Sequence, residues 1–243
     1  MTYDEFSPAP HLQGAVSSYW RFALPPDHTP PDFIHTIPPD GAVSLCWLPP
    51  GRVVVMGPRV PVFAGAEYAG IRFLPGGAGP LLNVDVPSLR DAVLPLDRPD
   101  FAAVMQAQGI PGLDALLTRW AEAAGWTSPD PTVAEITRRI VATDGAAPVA
   151  DLVHGLGLSY RQILRRFHHA SGLTPKEFAR LRRLRAACLH AFQSANPAWA
   201  ALSADTGFSD QAHLARECQD VYGWPPRLVH EYLRRITHLT VLP

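Results

Sequence analysis

The chain has 243 residues, 47% of them hydrophobic, which leaves room for one large domain or two of ordinary size and excludes wholesale disorder. Its 26 prolines and 18 glycines follow no collagen-like period, and no apolar run reaches the roughly 18 residues of a membrane span. The formal charge of −1 conceals a division: residues 1–130 carry 7 Lys+Arg and 13 Asp+Glu, residues 131–243 carry 14 and 9, so an acidic front (−6) precedes a basic back (+5).

From the first residue, Met1-Thr2-Tyr3-Asp4-Glu5-Phe6 lacks the basic and apolar blocks of a signal peptide, so a soluble, cytoplasmic protein with no membrane segment is expected. The front half then reads as short β-type segments: Tyr19-Trp20-Arg21-Phe22, Ala42 to Trp47, Arg52 to Met56 and Gly70-Ile71-Arg72-Phe73. Between them stand Pro25-Pro26-Asp27, Pro38-Pro39-Asp40-Gly41, Pro49-Pro50-Gly51 and Met56-Gly57-Pro58, and Leu74-Pro75-Gly76-Gly77 follows the last. A small antiparallel sheet, barrel or sandwich is the natural outcome. From about Phe101 the period becomes helical. Leu113, Leu116, Leu117, Trp120 and Ala124 form one apolar stripe and Gly125 supplies a stop. Such a stripe is buried either on its own barrel or against a second copy.

Trp126 to Pro131 is the linker candidate, which divides the chain into residues 1–127 and 131–236. Beyond it, Thr132 with Glu135, Ser159 with Gln162 and Thr174 with Glu177 fit the capping-box pattern, and Pro175 and Pro197 mark helix starts. The back half also repeats itself. Val149-Ala150, Leu152 and Gly157-Leu158-Ser159 return fifty residues later as Trp199-Ala200, Leu202 and Gly207-Phe208-Ser209. With one inserted residue, Ile163, Arg165, Phe167, Gly172 and Pro175 then match Leu214, Arg216, Cys218, Gly223 and Pro226.

Each copy has the chemistry of a helix-turn-helix: a glycine for the sharp turn, an apolar plug, and Ser159 or Ser209 to cap the second helix. With Ile163 and Phe167, or Leu214 and Cys218, facing inward, the outer faces carry Tyr160, Arg161, Gln162 and Arg165, and Gln211, Ala212, His213 and Arg216. Arg and Gln match guanine and adenine edges in the major groove, so these eight are the candidate base readers, with Ser159, Arg166 and Ser209 on phosphates. A single Arg-rich helix is more often a solvated face; two copies in register favour DNA.

Gly157-Leu158-Ser159 through Arg165-Arg166-Phe167, Gly172-Leu173-Thr174-Pro175 and Gly207-Phe208-Ser209-Asp210-Gln211 through Gly223-Trp224-Pro225-Pro226 resemble the DNA-binding domain of AraC/XylS-type transcription regulators. The resemblance covers about residues 131–236. It implies two helix-turn-helix units joined by a long helix from Pro175 to Phe192, double-stranded DNA as partner, and RNA polymerase by family analogy. Cys218 stands where the family usually has phenylalanine and Ala212 where serine is common. Ser18-Tyr19-Trp20, Pro38-Pro39-Asp40-Gly41, Gly57-Pro58 and Gly70-Ile71-Arg72-Phe73 are similar to the N-terminal segment of an uncharacterised AraC-type subgroup, implying a cupin-like barrel that senses a small molecule or forms a homodimer.

The expected fold is therefore α+β, a small β-rich, cupin-like barrel with helices followed by an all-α domain. Trp20, Trp47 and Arg72 are the candidate effector contacts, although aromatics at strand spacing, Phe63 and Phe73 among them, are more often core. Arg72 would need an anionic partner if it points inside. His11, His28 and His35 form no HxH or HExxH, and GxSxG and GxxxxGK[ST] are absent, so neither a metal, a cofactor nor a catalytic role is expected. Gly76-Gly77-Ala78-Gly79 reads as a turn after a strand. Cys46, Cys188 and Cys218 read as small buried residues, and Arg182, Arg183 and Arg185 as a solvated basic face. The rival function is a small-molecule-binding or catalytic barrel with a basic accessory domain. Residues 131–243, with their own caps and cores, are expected to fold alone.

Overall fold

A computed structural model describes residues 1–24, 34–36, 39–58, 62–64, 67–235 and 238–240; Pro25-Pro26-Asp27, His28 and Pro38, and the side chains of His35 and Phe63, lie outside what it describes. The front half contains β1 (Thr2–Phe6), β2 (Val16–Ala23), β3 (Ile34–Thr36), β4 (Val43–Leu48), β5 (Arg52–Met56), β6 (Val62–Ala64) and β7 (Glu67–Phe73). Then come α1 (Ala78–Leu82), β8 (Val93–Pro95), α2 (Pro99–Ala107) and α3 (Leu113–Ala123). The back half is helical: α4 (Pro131–Ala142), α5 (Val149–Val153), α6 (Tyr160–Ser171), α7 (Pro175–Phe192), α8 (Trp199–Asp205), α9 (Gln211–Tyr222) and α10 (Pro226–Leu233), followed by β9 (His238–Thr240). The α+β division and the 18-residue connecting helix α7 are as the sequence implies.

Seven strands form one sheet in the order β8-β5-β4-β7-β2-β1-β9, antiparallel except where β9 lies parallel to β1; β3 and β6 pair separately. Among the described residues this sheet is open, with β8 and β9 at its edges. Side chains alternate across a strand, so each strand feeds two faces. Leu45, Val55, Ile71 and Phe73 pack with Leu81, Phe101, Leu113, Leu116 and Leu117 of α1 to α3. The opposite face, with Tyr3, Trp20, Phe22, Cys46 and Tyr68, shares one core with Leu184, Ala187, Phe208, Leu214, Tyr232 and Leu233 of the back half. A third core lies among α4 to α7, around Ile136, Ile140, Ile163, Phe167 and Phe178.

Burial on both faces explains the unbroken apolar run Val53-Val54-Val55-Met56 in β5, all four buried. It also settles the α3 stripe, which Leu113, Leu116, Leu117 and Trp120 spend on their own sheet rather than on a second chain.

The linker therefore separates two sequence textures without separating two cores. Further ties cross the junction. The Gly76 amide donates to the Ala170 carbonyl at 3.0 Å, and Arg90 donates to the Gly172 carbonyl at 3.2 Å and pairs with Glu177. Gly41 holds φ +86°, and a Cβ there would come within 2.7 Å of the Phe178 ring, so the turn before β4 needs glycine for both its backbone and its approach to α7.

Local start signals are partly as expected. Ser159 with Gln162 and Thr174 with Glu177 form capping boxes. α4 differs: Pro131 takes the first position, so Asp130 becomes the cap, accepting from the Thr132 and Val133 amides, while Glu135 pairs with Arg138 and Arg139. α8 starts at Trp199 after Ala198, two residues beyond Pro197, and lacks a side-chain cap. The glycine turn after β7 runs directly into α1.

Two outcomes follow. Phe22→Ala, cutting a fully buried ring from the shared core, should cost about 3–5 kcal/mol and lower a single calorimetric transition of the whole chain, whereas two independent domains would leave one transition in place. Burial would raise the Glu177 carboxyl, but hydrogen bonds from Arg90 and Thr174 outweigh it and hold it at about 2, against an ordinary 4.5. A depressed folded value stabilises fully above the ordinary value and is lost as pH falls towards 2. Glu177→Gln should flatten that acid limb and cost about 1 kcal/mol at pH 7, the pair being one-third exposed and screened, as chemical denaturation at both pH values would read.

Candidate nucleic-acid interface

The two repeats fold as two helix-turn-helix units, α5–α6 and α8–α9. Gly157 and Gly207 hold φ +68° and +78°, the left-handed backbone that the inter-helix turns require. Leu152, Ile163 and Phe167 close the first unit, and Phe208, Leu214 and Cys218 the second. Cys218 fills its place as a buried thiol. Gly172 and Gly223 end α6 and α9 in matching left-handed caps.

The starts of the two outer helices are not equivalent. On α6, Ser159 Oγ accepts from the Gln162 amide and Gln162 Oε1 accepts from the Ser159 amide at 2.9 Å. On α9 the residue inserted after the turn takes over: Asp210, not Ser209, is the cap, its Oδ1 accepting from the His213 amide at 2.7 Å. That hydrogen bond leads the causes that lower the Asp210 carboxyl, with Ser209 and Arg216 adding to it. Ser209 Oγ instead donates to Asp210 Oδ2 at 3.1 Å.

Tyr160, Arg161, Gln162, Arg165 and Arg166 are exposed on α6, as are Gln211, Ala212 and Arg216 on α9, each set opposite its core. Among the described residues Arg161, Arg165 and Arg216 enter no hydrogen bond or ion pair within the chain, so their guanidinium forks remain available. Other expected readers are partly engaged. The Gln162 carbonyl serves the cap, leaving its amino group. His213 is half-buried against Phe208, its Nδ1 accepting from the Ser209 amide at 3.3 Å and its Nε2 lying 3.5 Å from Glu217. Arg166 pairs with the α4 cap, Asp130, at 2.8 Å.

Three supports were not read from the sequence. Arg139 of α4 donates to the carbonyls of Leu152 and His154 at 3.1 and 2.8 Å, satisfying the end of the five-residue α5. Arg180 of α7 pairs with Glu217 and Asp220 of α9. Arg183 donates to the Gly207 carbonyl at 3.1 Å and stacks on Phe208 with its guanidinium 4.9 Å from the ring. Arg182, Arg183 and Arg185 thus turn inward. They are not a solvated face, because α7 lies between the second unit and the sheet.

Of the expected effector contacts, Trp20 and Arg72 lie on the sheet face turned to α7, and Trp47 lies on the other, beside a cavity of about 570 Å³ also lined by Tyr19 and Asp114. Arg72 finds its anions within the chain, in Glu5 and Asp40. His11 meets Thr118 Oγ1 at 2.8 Å. No helix of the described residues is long and apolar enough to cross a membrane.

Residues 152–235 match a family described as a helix-turn-helix domain, and residues 4–95 one described as a domain of unknown function (DUF6597). No curated protein matches the chain. Among solved structures, ToxT from Vibrio cholerae O395 aligns with a TM-score of 0.51 at 8% identity, over 93% of this chain and 100% of that one. The same protein bound to (E)-4-(8-methylnaphthalen-1-yl)but-3-enoic acid gives 0.50 at 9%, over 96% and 100%. At these identities the likeness is one of fold.

Because the inserted residue carries the cap, Asp210→Ala should lower thermal stability and α9 helicity clearly more than Ser209→Ala, by circular dichroism; equal effects would return the cap to Ser209.

Proposed function

We propose that this chain, whose C-terminal half is an AraC-type helix-turn-helix domain, is a sequence-specific transcription regulator that binds double-stranded DNA through α6 and α9. The observation that carries the reading is the pair of repeated outer helices whose exposed Arg161, Arg165 and Arg216 enter no hydrogen bond or ion pair among the described residues. In this reading Tyr160, Arg161, Gln162, Arg165, Gln211, Ala212, His213 and Arg216 meet base edges, and Ser159, Arg166 and Ser209 meet phosphates. His213 and Arg166 do so only on leaving their present partners. Eighteen residues of α7 span about 27 Å at the α-helical rise, which suits successive groove segments on one DNA face.

Residues 131–236 are then the DNA-binding domain and residues 1–127 the sensing part, acting on DNA in the cytoplasm and without a catalytic step. The acid bound in the second ToxT structure supports a small-molecule effector for the front half by analogy of fold. A homodimer would need a surface other than the buried α3 stripe.

Selection from random DNA with the whole protein tests the reading. Selected sites should bind at least about 10³-fold tighter than random DNA, with affinity falling steeply as salt rises. Equal affinity for both would overturn it. Arg165→Ala and Arg216→Ala should each relax preference at one base pair by about 1–3 kcal/mol, measured on site variants, while Arg166→Ala should weaken all sequences alike.

A further inference from the structure

The sheet face turned to α7 carries a buried cluster of charge. Arg72, 7% exposed, pairs with Glu5, and its Nε stands 2.6 Å from Asp40 Oδ2, close enough for ion pairing though off line for a hydrogen bond. Arg72 also donates to Tyr3 Oη at 3.0 Å and Ser18 Oγ at 3.3 Å. Glu5 meets a second guanidinium, Arg185 of α7, at 3.5 Å. The third is Arg182, 8% exposed, which among the described residues has no hydrogen bond or ion pair and whose buried Nε finds no partner there.

Among the described residues three guanidiniums thus face two carboxylates, Arg72 and Arg185 pairing with Glu5 and Arg72 with Asp40. Asp40 and the exposed Asp144 act on Arg182 only at a distance. Burial and the neighbouring charges of Arg185 and Arg72 outweigh them and bring the Arg182 guanidinium down to about 10. Proteins bury arginine paired, because an unpaired buried charge is costly. Beside this one lies a cavity of about 340 Å³, lined by Arg182, Arg72, Asp40, Gln13, Ser17 and Phe178 among others.

We propose that this cavity binds a small monoanionic organic acid, its carboxylate on the Arg182 fork, Gln13 and Ser17 beside it, and its body against Phe178. The unbalanced charge is one, and Asp40 in the wall would repel a second negative charge, which disfavours a phosphate dianion. A planar carboxylate is the anion that a guanidinium fork meets with two parallel hydrogen bonds. The volume suits a molecule at the small end of ligand pockets. Such an anion would join α7, which connects both helix-turn-helix units, to the sheet. The inference rests on the effector-responsive reading for this regulatory meaning, but not for the binding itself.

The test uses the whole protein without DNA, so that its outcome is separate from that of the DNA-binding reading. Benzoate and hexanoate, their neutral amides, and inorganic phosphate are titrated by calorimetry and thermal shift. At least one carboxylate should bind saturably and raise the melting temperature, and its amide should not. Arg182→Met should weaken that binding at least about tenfold while leaving the ligand-free protein no less stable, since an unpaired buried charge is removed. Arg182→Lys keeps the charge without the fork and should bind more weakly than the parent, which holds the test should the Met variant misfold. No saturable carboxylate binding, equal binding of the amide, tighter binding of phosphate, or unchanged affinity in folded variants would each overturn the proposal.

Discussion

A sheet whose two faces are both buried needs two layers, and in this chain the second layer is the helix-turn-helix half itself. Trp20, Phe22 and Tyr68 have no water to face; they close against Leu184, Phe208 and Tyr232. Apolar burial of this kind supplies most of the free energy that holds such elements together, at about 25 cal/mol per Å². Because the same residues of α7, α8–α9 and α10 complete the second helix-turn-helix core, the orientation of that unit and the integrity of the sheet are one problem. The buried pairs of Glu5 with Arg72 and Arg185 sit within this contact, where Coulombic gain roughly offsets desolvation, so they add little net stability beside the apolar burial around them.

α7 serves every neighbour at once, and its arginines show how. Arg180 reaches α9, Arg183 holds the turn before it, and Arg182 and Arg185 face the sheet. A helix that is only weakly amphipathic in sequence is here surrounded on most sides. The two repeats accordingly stand in different surroundings. The first leans on the loops around Gly76 and Arg90, the second on the sheet face. Both units thus share one helix with the junction, so the front half is in contact with the element that carries α6 and α9.

The repeats also differ at the outer helices. The first keeps Ser159 and Gln162 in a closed box; the second, longer by one residue, hands its cap to Asp210 and draws His213 back towards the turn. Among the described residues Arg161, Arg165 and Arg216 enter no ion pair, whereas Arg166 is held by Asp130. In the proposed function, the set of side chains free to meet DNA is therefore narrower than the run of polar residues suggests.

Much was legible from neighbouring residues alone. The β-branched run of 52–56, the stop at Gly125, the capping boxes at Ser159 and Thr174, the glycine turns and the span of α7 are all set by interactions within a few positions, so spacing reveals them. What spacing could not reveal is which distant surfaces meet. Arg182 and Arg185 read as a solvated face because nothing near them in the chain is acidic, and Glu5 and Asp40 lie in the first strand and a far turn. The cap at Asp130 was masked by a plausible Thr132-Glu135 pair two residues later, and an apolar stripe such as that of α3, though more commonly buried on its own chain, fits a second copy as well. Local chemistry chose the elements; the tertiary structure chose their partners, because burial of an apolar face or a charge is decided by whatever surface folding brings against it.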